Sequence, residues 1–143
     1  LEAEKITGSK YNILVDIDAT SPLRTPEDII ACVNLLNTKK SSNVITGCLS
    51  HRSPYFNMVE CDKFGNTQLV KKLNKNIVRR QDAPLCYDMN ASIYVWNREK
   101  FDKEPKLFYP DTQLYVMPRE RSWDIDSDLD FSIVEMIMKN KRD

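Results

Sequence analysis

The chain has 143 residues, of which 41% are hydrophobic and 29% charged, and its 21 basic side chains balance its 21 acidic ones. This composition is typical of an ordinary globular protein. Proteins that bind nucleic-acid polymers or membrane surfaces carry a basic excess, and no apolar run approaches the roughly 20 residues that cross a bilayer, so neither partner is expected.

The length and the cysteines indicate a single domain in a reducing compartment. A chain of this size can bury a sizeable core, which predicts one domain over residues 1–143. The cysteines are scattered, without any Cys-x-x-Cys spacing, at Cys32, Cys48, Cys61 and Cys86. This scatter predicts free thiols and a cytoplasmic protein.

A strand, a turn and a helix form the first strongly predicted unit. Residues 11–17 are apolar and β-branched on both faces, which is typical of a buried parallel strand. Residues 26–36 place apolar side chains at helical spacing, and residues 43–49 form a second apolar run. Strand, helix and strand in this order predict a right-handed βαβ unit in a mixed α/β fold.

The second half of the chain predicts shorter elements. Residues 58–70 indicate a hairpin that turns at Gly65 and Asn66, and residues 71–90 indicate a long irregular loop, a feature that is often functional. The remaining predicted elements are a strand at 91–96, a helical turn at 98–101, extended pieces at 106–109 and 113–117, and a helix at 128–141.

Two pairs of carboxylates are candidate ligand groups. Asp16 and Asp18 end the first strand, just before a helix N-terminus, and ligands of open α/β sheets gather at such places. Asp124 and Asp126 are two residues apart, so both point to one side of an extended segment, an arrangement that suits Mg²⁺. Capping or solvation explains this second pair equally well. Ser127 is predicted to be the N-cap of the last helix.

The long loop contributes a candidate anion-binding residue, Arg80. A guanidinium group grips a carboxylate with two parallel hydrogen bonds, and Asn90 and Tyr94 follow on a predicted strand. The alternative is an arginine that is merely solvated at the surface. Residues 50–60 follow the second apolar strand and either line a pocket or cap the core.

Four segments, in order along the chain, resemble the acylneuraminate cytidylyltransferases, which make CMP-activated sialic and related nonulosonic acids. They are Thr-Ser-Pro-Leu-Arg at 20–24, His-x-x-Pro-Tyr-Phe-Asn-Met at 51–58, Arg-Gln-x-x-Pro with Tyr-x-x-Asn-x-x-Ile-Tyr at 80–94, and Asp-Ile-Asp at 124–126. The resemblance extends from about Tyr11 to the last helix.

This resemblance implies a three-layer, Rossmann-like nucleotide-diphospho-sugar transferase fold, with a mostly parallel sheet and a hairpin extension for dimerisation. It implies a homodimer that joins CTP and a nonulosonic acid into a CMP-sugar and pyrophosphate. The family's basic, phosphate-wrapping loop has no match in residues 1–15. The chain is therefore expected to be the C-terminal part of a cytidylyltransferase domain and to be inactive alone.

The resemblance also assigns residues to the site. It implies Mg²⁺ as the cofactor, with Asp124 and Asp126 as its ligands and as catalytic residues. The residues that it implies for substrate binding are Asp18, Ser21, Arg80, Gln81, Asn90, Tyr94 and, reaching into a partner subunit, Phe108. Asp18 stands where many relatives have glutamine, so it either accepts hydrogen bonds from sugar hydroxyls or joins the metal site.

Two further residues carry structural expectations. Arg24 is expected to tie the turn to backbone rather than to contact the ligand. Ala91 replaces a glycine of the family pattern, which predicts that this position needs no positive φ.

Two alternative functions stay open at this point. One is a CMP-3-deoxy-octulosonate synthetase, although its relatives carry Gln-Gly-Asp-Glu-Pro where this chain has residues 18–22. The other is a non-catalytic, dimerising or binding module that keeps the fold without the chemistry.

Overall fold

The computed structural model describes residues 2–73 and 79–140. These residues form two compact units, one from 1–48 together with 89–143 and the other from 49–88, and each is described by itself. That the whole chain is one domain stays a prediction.

The helices and strands have the following bounds. The helices are α1 (Glu2–Thr7), α2 (Pro26–Lys39), α3 (Arg98–Lys103) and α4 (Asp128–Asn140). The strands are β1 (Ile13–Ile17), β2 (Asn43–Leu49), β3 (Val59–Cys61), β4 (Thr67–Leu69), β5 (Tyr87–Asn97) and β6 (Gln113–Val116). Short 3₁₀ turns lie at Arg80–Asp82 and Arg119–Arg121. None of the helices described is long and apolar enough to span a membrane.

The central sheet has four strands in the order β1-β5-β2-β6. β1 pairs antiparallel with β5, with Ile17 opposite Ile93, whereas β2 runs parallel to β6. The protein is therefore mixed α/β, as expected, but a parallel arrangement is seen for β2 and β6 and not for β1 and β5.

The prediction for β1 as a buried parallel strand is wrong. β1 lies at one end of the described sheet, and Val15 and Ile17 keep 44% and 47% of their surface exposed. A short apolar, β-branched run favours a strand but does not distinguish a central strand from an outer one.

The core of the larger unit lies between α2 and the sheet. Its buried apolar side chains are Cys32, Leu36, Val44, Ile93, Val95 and Met117. α2 presents Cys32 and Leu36 one turn apart on one face, as its helical spacing predicts. Burial in this core, and to a smaller extent the charge of Asp28, raises the pKa of the Cys32 thiol to about 12. All four cysteines are free thiols, which confirms this part of the prediction.

Both long helices begin as their sequences predict. Pro26 opens α2 after Thr25, which forms a reciprocal capping box with Asp28, and Lys40 ends the helix in the left-handed conformation (φ 51). Ser127 caps α4, since its Oγ accepts from the Asp130 amide at 3.3 Å. The N-cap prediction for Ser127 is therefore confirmed.

The smaller unit contains the predicted hairpin. β3 and β4 pair antiparallel, with Val59 opposite Leu69 and Cys61 opposite Thr67. In the turn, Asp62 accepts hydrogen bonds from the backbone amides of Phe64 and Asn66, at 2.8 and 2.9 Å. Gly65 has a φ of 85°, a conformation that glycine adopts without strain.

Candidate functional site

The turn that follows β1 is held together by its own side chains. Asp18 Oδ1 accepts from the amide and the hydroxyl of Thr20, at 3.0 and 2.8 Å, and these hydrogen bonds lower the pKa of Asp18. Arg24 Nη1 donates to the carbonyls of Asp18 and Ser21, at 2.5 and 2.6 Å. The structural role expected for Arg24 is thereby confirmed.

Ser21 and Asn90 connect this turn to β5 and to the segment that follows β6. The buried Ser21 Oγ donates to the Asn90 carbonyl at 3.2 Å. Asn90 Nδ2 donates to Ser122 Oγ at 3.0 Å and lies 3.3 Å from Met117 Sδ. Both side chains are thus engaged inside the protein, and their contact with substrate stays a prediction.

Asp124 lies beside the same turn. The amide of the next residue, Ile125, donates to the Thr20 carbonyl at 3.0 Å, which joins the Asp-Ile-Asp segment to the Thr-Ser-Pro turn. Asp124 Oδ1 is buried and has no hydrogen-bond partner among the described residues. A buried carboxylate oxygen without a partner is costly, so the position fits a cation or a ligand donor. Asp126, in contrast, is exposed.

The carboxylates of this region act on the pKa of Tyr94. Burial raises the pKa of its phenol, and the negative charges of Asp18, Asp16 and Asp124 raise it further. Asp16 lies opposite Tyr94 in the β1–β5 register, so the two side chains share one face of the sheet. The carboxylates of Asp16, Asp18 and Asp124 therefore all lie near enough to Tyr94 to act on its phenol.

Asp16 belongs to this cluster, although only Asp18 of the first carboxylate pair was assigned to substrate binding. The signal was present in the sequence. Asp16 and Asp18 have the same two-residue spacing as Asp124 and Asp126, and that spacing places both side chains on one side of an extended chain.

The carboxylates fit a hard divalent cation only with help from other ligands. Within the part of the chain that the structure describes, no three His, Cys, Asp or Glu side chains are placed to enclose a metal ion. Mg²⁺ usually binds one or two carboxylates and completes its shell with phosphate oxygens and water. The orphaned oxygen of Asp124 suits such a partial site.

Gln81 lies in the smaller unit, where it lines a cavity of about 340 Å³. The other polar side chains at this cavity include Ser50, Arg52 and Ser53, and the apolar walls include Pro84 and Leu85. The framework is braced internally, because Ser50 Oγ donates to Asp88 Oδ1 at 2.7 Å.

Two other predicted residues need separate mention. Arg80 opens the 3₁₀ turn Arg80–Asp82, and its side chain lies outside the described residues. Phe108 follows α3 in a segment that belongs to no helix or strand, and it is 59% exposed. Its predicted role in a partner subunit stays a prediction.

The expectation for Ala91 is wrong. Ala91 has a φ of 50°, in the left-handed region that disfavours residues with a Cβ atom. Alanine therefore adopts here a backbone conformation that glycine would adopt freely. The next residue is Ser92, whose buried Oγ has no hydrogen-bond partner among the described residues.

Comparison with known proteins places these features in a family. No protein-family model matches the chain. It is 40% identical over 141 residues to the CMP-N,N'-diacetyllegionaminic acid synthase of Campylobacter jejuni, and 37% identical over 141 residues to the post-translational flagellin modification protein B of Campylobacter coli. Both alignments cover 99% of this chain and 59% of the relative.

More distant relatives carry the family's own name. The chain is 29% identical over 115 residues to the N-acylneuraminate cytidylyltransferase of Streptococcus agalactiae, an alignment that covers 80% of this chain and 27% of that protein. The four motifs, the turn that contacts the Asp-Ile-Asp segment and these similarities lead to one conclusion. The chain belongs to the acylneuraminate cytidylyltransferase family.

Proposed function

We propose that this chain is part of an enzyme that transfers CMP from CTP to a nonulosonic acid. The name of the C. jejuni relative supports this substrate class, and the chain spans 59% of that relative's length. The observation that carries the proposal is the junction of two family motifs. The Ile125 amide donates to the Thr20 carbonyl, and the neighbouring Asp124 keeps a buried oxygen without a partner.

The proposed reaction is a displacement at the α-phosphorus of CTP. The C2 hydroxyl oxygen of the sugar acid forms a bond to this phosphorus, and the bond to the oxygen that bridges to the β-phosphate breaks. Pyrophosphate leaves with the electron pair, and the hydroxyl proton is released to solvent. In such a reaction the protein mainly positions the reactants and stabilises charge.

Asp124 and Asp126 would hold Mg²⁺, which would neutralise phosphate charge when bound. Asp124 would supply an oxygen that none of the described donors uses, and Asp126 would supply an exposed carboxylate two residues later. Tyr94 and Asp18 would contact the sugar, with Asp18 accepting hydrogen bonds from hydroxyl groups. Ser21 and Asn90 would support the substrate site indirectly, because their polar atoms already form hydrogen bonds within the protein.

The remaining assignments complete the proposal. Arg80 would bind the sugar carboxylate through its guanidinium fork. Gln81 would contact the sugar, and Phe108 would cover the site of a partner subunit. We propose a cytoplasmic homodimer with a three-layer, Rossmann-like fold, and we expect the 143-residue polypeptide not to turn over CTP by itself.

Calorimetric titration of the chain with a CMP-nonulosonic acid in the presence of Mg²⁺ tests the proposal. We expect binding that depends on Mg²⁺ and that weakens at least about tenfold in Asp124→Asn, since a metal ligand is lost. Asp128→Asn is the matched control, because it removes a charge from the exposed first turn of α4. Absence of Mg²⁺-dependent binding, or an equal loss in both variants, would favour a non-catalytic module.

A further inference from the structure

A buried ion pair lies behind the segment that carries Asp124. The carboxylate of Asp28, in the first turn of α2, is only 1% exposed. Arg121 Nε and Nη2 donate to its two oxygens at 3.0 and 2.7 Å, which is the two-point geometry of a guanidinium fork. Tyr115 on β6 adds a hydrogen bond from its hydroxyl at 3.2 Å.

These hydrogen-bond partners keep the Asp28 carboxyl ionised. Burial alone would raise the pKa of this carboxyl, but the hydrogen bonds from Arg121 and from the Thr25 amide outweigh burial and lower the pKa. The same pair raises the pKa of the Arg121 guanidinium. Both groups therefore stay ionised at neutral pH, and the pair persists across the physiological range.

The position of the pair in the chain links two parts of the site. Asp28 lies six residues after Pro22, the last residue of the Thr-Ser-Pro turn, and Arg121 precedes Asp124 by three residues. Ser122, between Arg121 and Asp124, accepts from Asn90 Nδ2 at 3.0 Å, and Ile125 donates to Thr20 at 3.0 Å. The segment 121–125 thus has three anchors, of which the Arg121 fork is the only charged one among the described contacts.

We propose that Asp28 and Arg121 are positioning residues that hold Asp124 at the Thr20 turn. This inference rests on the proposed function, since it concerns the carboxylate assigned there to Mg²⁺. Neither residue is assigned as a ligand of the metal, because the Asp28 oxygens and the Arg121 guanidinium already pair with each other. The fork fixes the direction of the segment, so that the Asp124 oxygen is presented without a protein partner, and groups behind a metal ligand commonly set its affinity in this way.

Arg121→Lys is the variant that isolates this role. Lysine keeps the positive charge but lacks the planar fork, so the charge balance is retained while the two-point geometry is lost. Arg119→Lys is the matched control, because Arg119 lies in the same 3₁₀ turn and makes no side-chain hydrogen bond or ion pair within the described part of the chain. Asp28→Asn is the reciprocal variant, and thermal melting checks that each variant is folded.

Two measurements on the 143-residue chain provide the readouts. Electron paramagnetic resonance titration with Mn²⁺ alone measures the affinity for a divalent cation, and we expect a loss of about tenfold in Arg121→Lys and none in Arg119→Lys. Hydrogen–deuterium exchange without metal follows the peptide 118–126, which contains the Ile125 amide. We expect faster exchange there in Arg121→Lys and unchanged exchange in the middle of α4.

The outcomes separate this inference from the proposed function. An unsubstituted chain that binds no Mn²⁺ overturns the proposed metal site, and this inference with it. Binding that survives Arg121→Lys unchanged, in a folded variant, overturns this inference alone. The double variant Asp28→Asn/Arg121→Lys tests whether the two residues act through one pair. In that case it should lose no more Mn²⁺ affinity than the more affected single variant.

Discussion

The regions around Asp28 and Asp124 differ in how the buried carboxylate oxygens are hydrogen-bonded. Asp28 accepts hydrogen bonds on both oxygens, from Thr25, Tyr115 and Arg121. Asp124 has one buried oxygen without a partner in the part of the chain that the structure describes. A saturated carboxylate contributes to the stability of the fold, whereas an orphaned one weakens the fold and is available to a ligand. The comparison separates a structural aspartate from a candidate functional one.

The largest effect should come from removing the charge of Asp28. Asp28→Asn leaves the Arg121 guanidinium without its buried partner, and breaking such a pair costs about 3 kcal/mol of unfolding free energy. For a chain of this size that corresponds to a fall in Tm of about 10 °C. Urea unfolding and thermal melting measure both quantities.

Asp102→Asn is the control for this prediction. Asp102 pairs with Arg98 at 3.2 Å but is 56% exposed, so its loss should cost less than about 1 kcal/mol. Equal losses in the two variants would contradict the distinction between a buried and an exposed ion pair.

The stability that Asp28 provides should depend on pH. Because its folded-state pKa is lowered, this contribution is fully present above the unfolded-state pKa of about 3.9 and is lost as the pH falls through the folded-state value. The difference in unfolding free energy between the unsubstituted chain and Asp28→Asn should therefore narrow below about pH 3.9. Urea unfolding from pH 7 to pH 2.5 measures it, and a constant difference would contradict the assignment.

Asp124 should respond in the opposite direction. Asp124→Asn replaces a carboxyl group that has an unpartnered buried oxygen by an amide, which costs less to bury. We therefore expect the free energy of unfolding to rise by about 1 kcal/mol while Mg²⁺-dependent binding weakens at least about tenfold. Urea unfolding without metal, together with the calorimetric titration, tests both parts. A variant that is both less stable and unable to bind would show that Asp124 supports the fold in the way that Asp28 does.

Much of the local structure could be predicted from the sequence because it depends on neighbouring residues. Helical spacing and Pro26 predict α2, the Gly65 turn predicts the hairpin, and Ser127 predicts the start of α4. The role of Arg24 in the turn also followed from local geometry. The orientation of β1 could not be predicted, because it depends on β5, about 80 residues later in the chain.

The candidate site likewise contains features that the sequence could predict and features that it could not. Motif resemblance pointed to Asp18, Tyr94 and Asp124, and the negative charges of the two carboxylates raise the pKa of the Tyr94 phenol. The pairing of Asp28 with Arg121 had no signal in the sequence, since 93 residues separate the two partners. Nothing in the spacing of either residue indicates that one side chain is the partner of the other.

Ala91 offers the smallest and most local test of what sequence comparison can and cannot show. Glycine in the family pattern suggested that alanine here marks a different backbone, yet Ala91 has a φ of 50°. The left-handed conformation costs alanine about 1–2 kcal/mol, and glycine loses about 0.5–1 kcal/mol more conformational entropy on folding. Ala91→Gly should therefore stabilise the chain by about 0.5 kcal/mol in urea unfolding. Ala31→Gly, inside α2, should destabilise it by about 1 kcal/mol, and the same sign in both variants would mean that Ala91 is not strained.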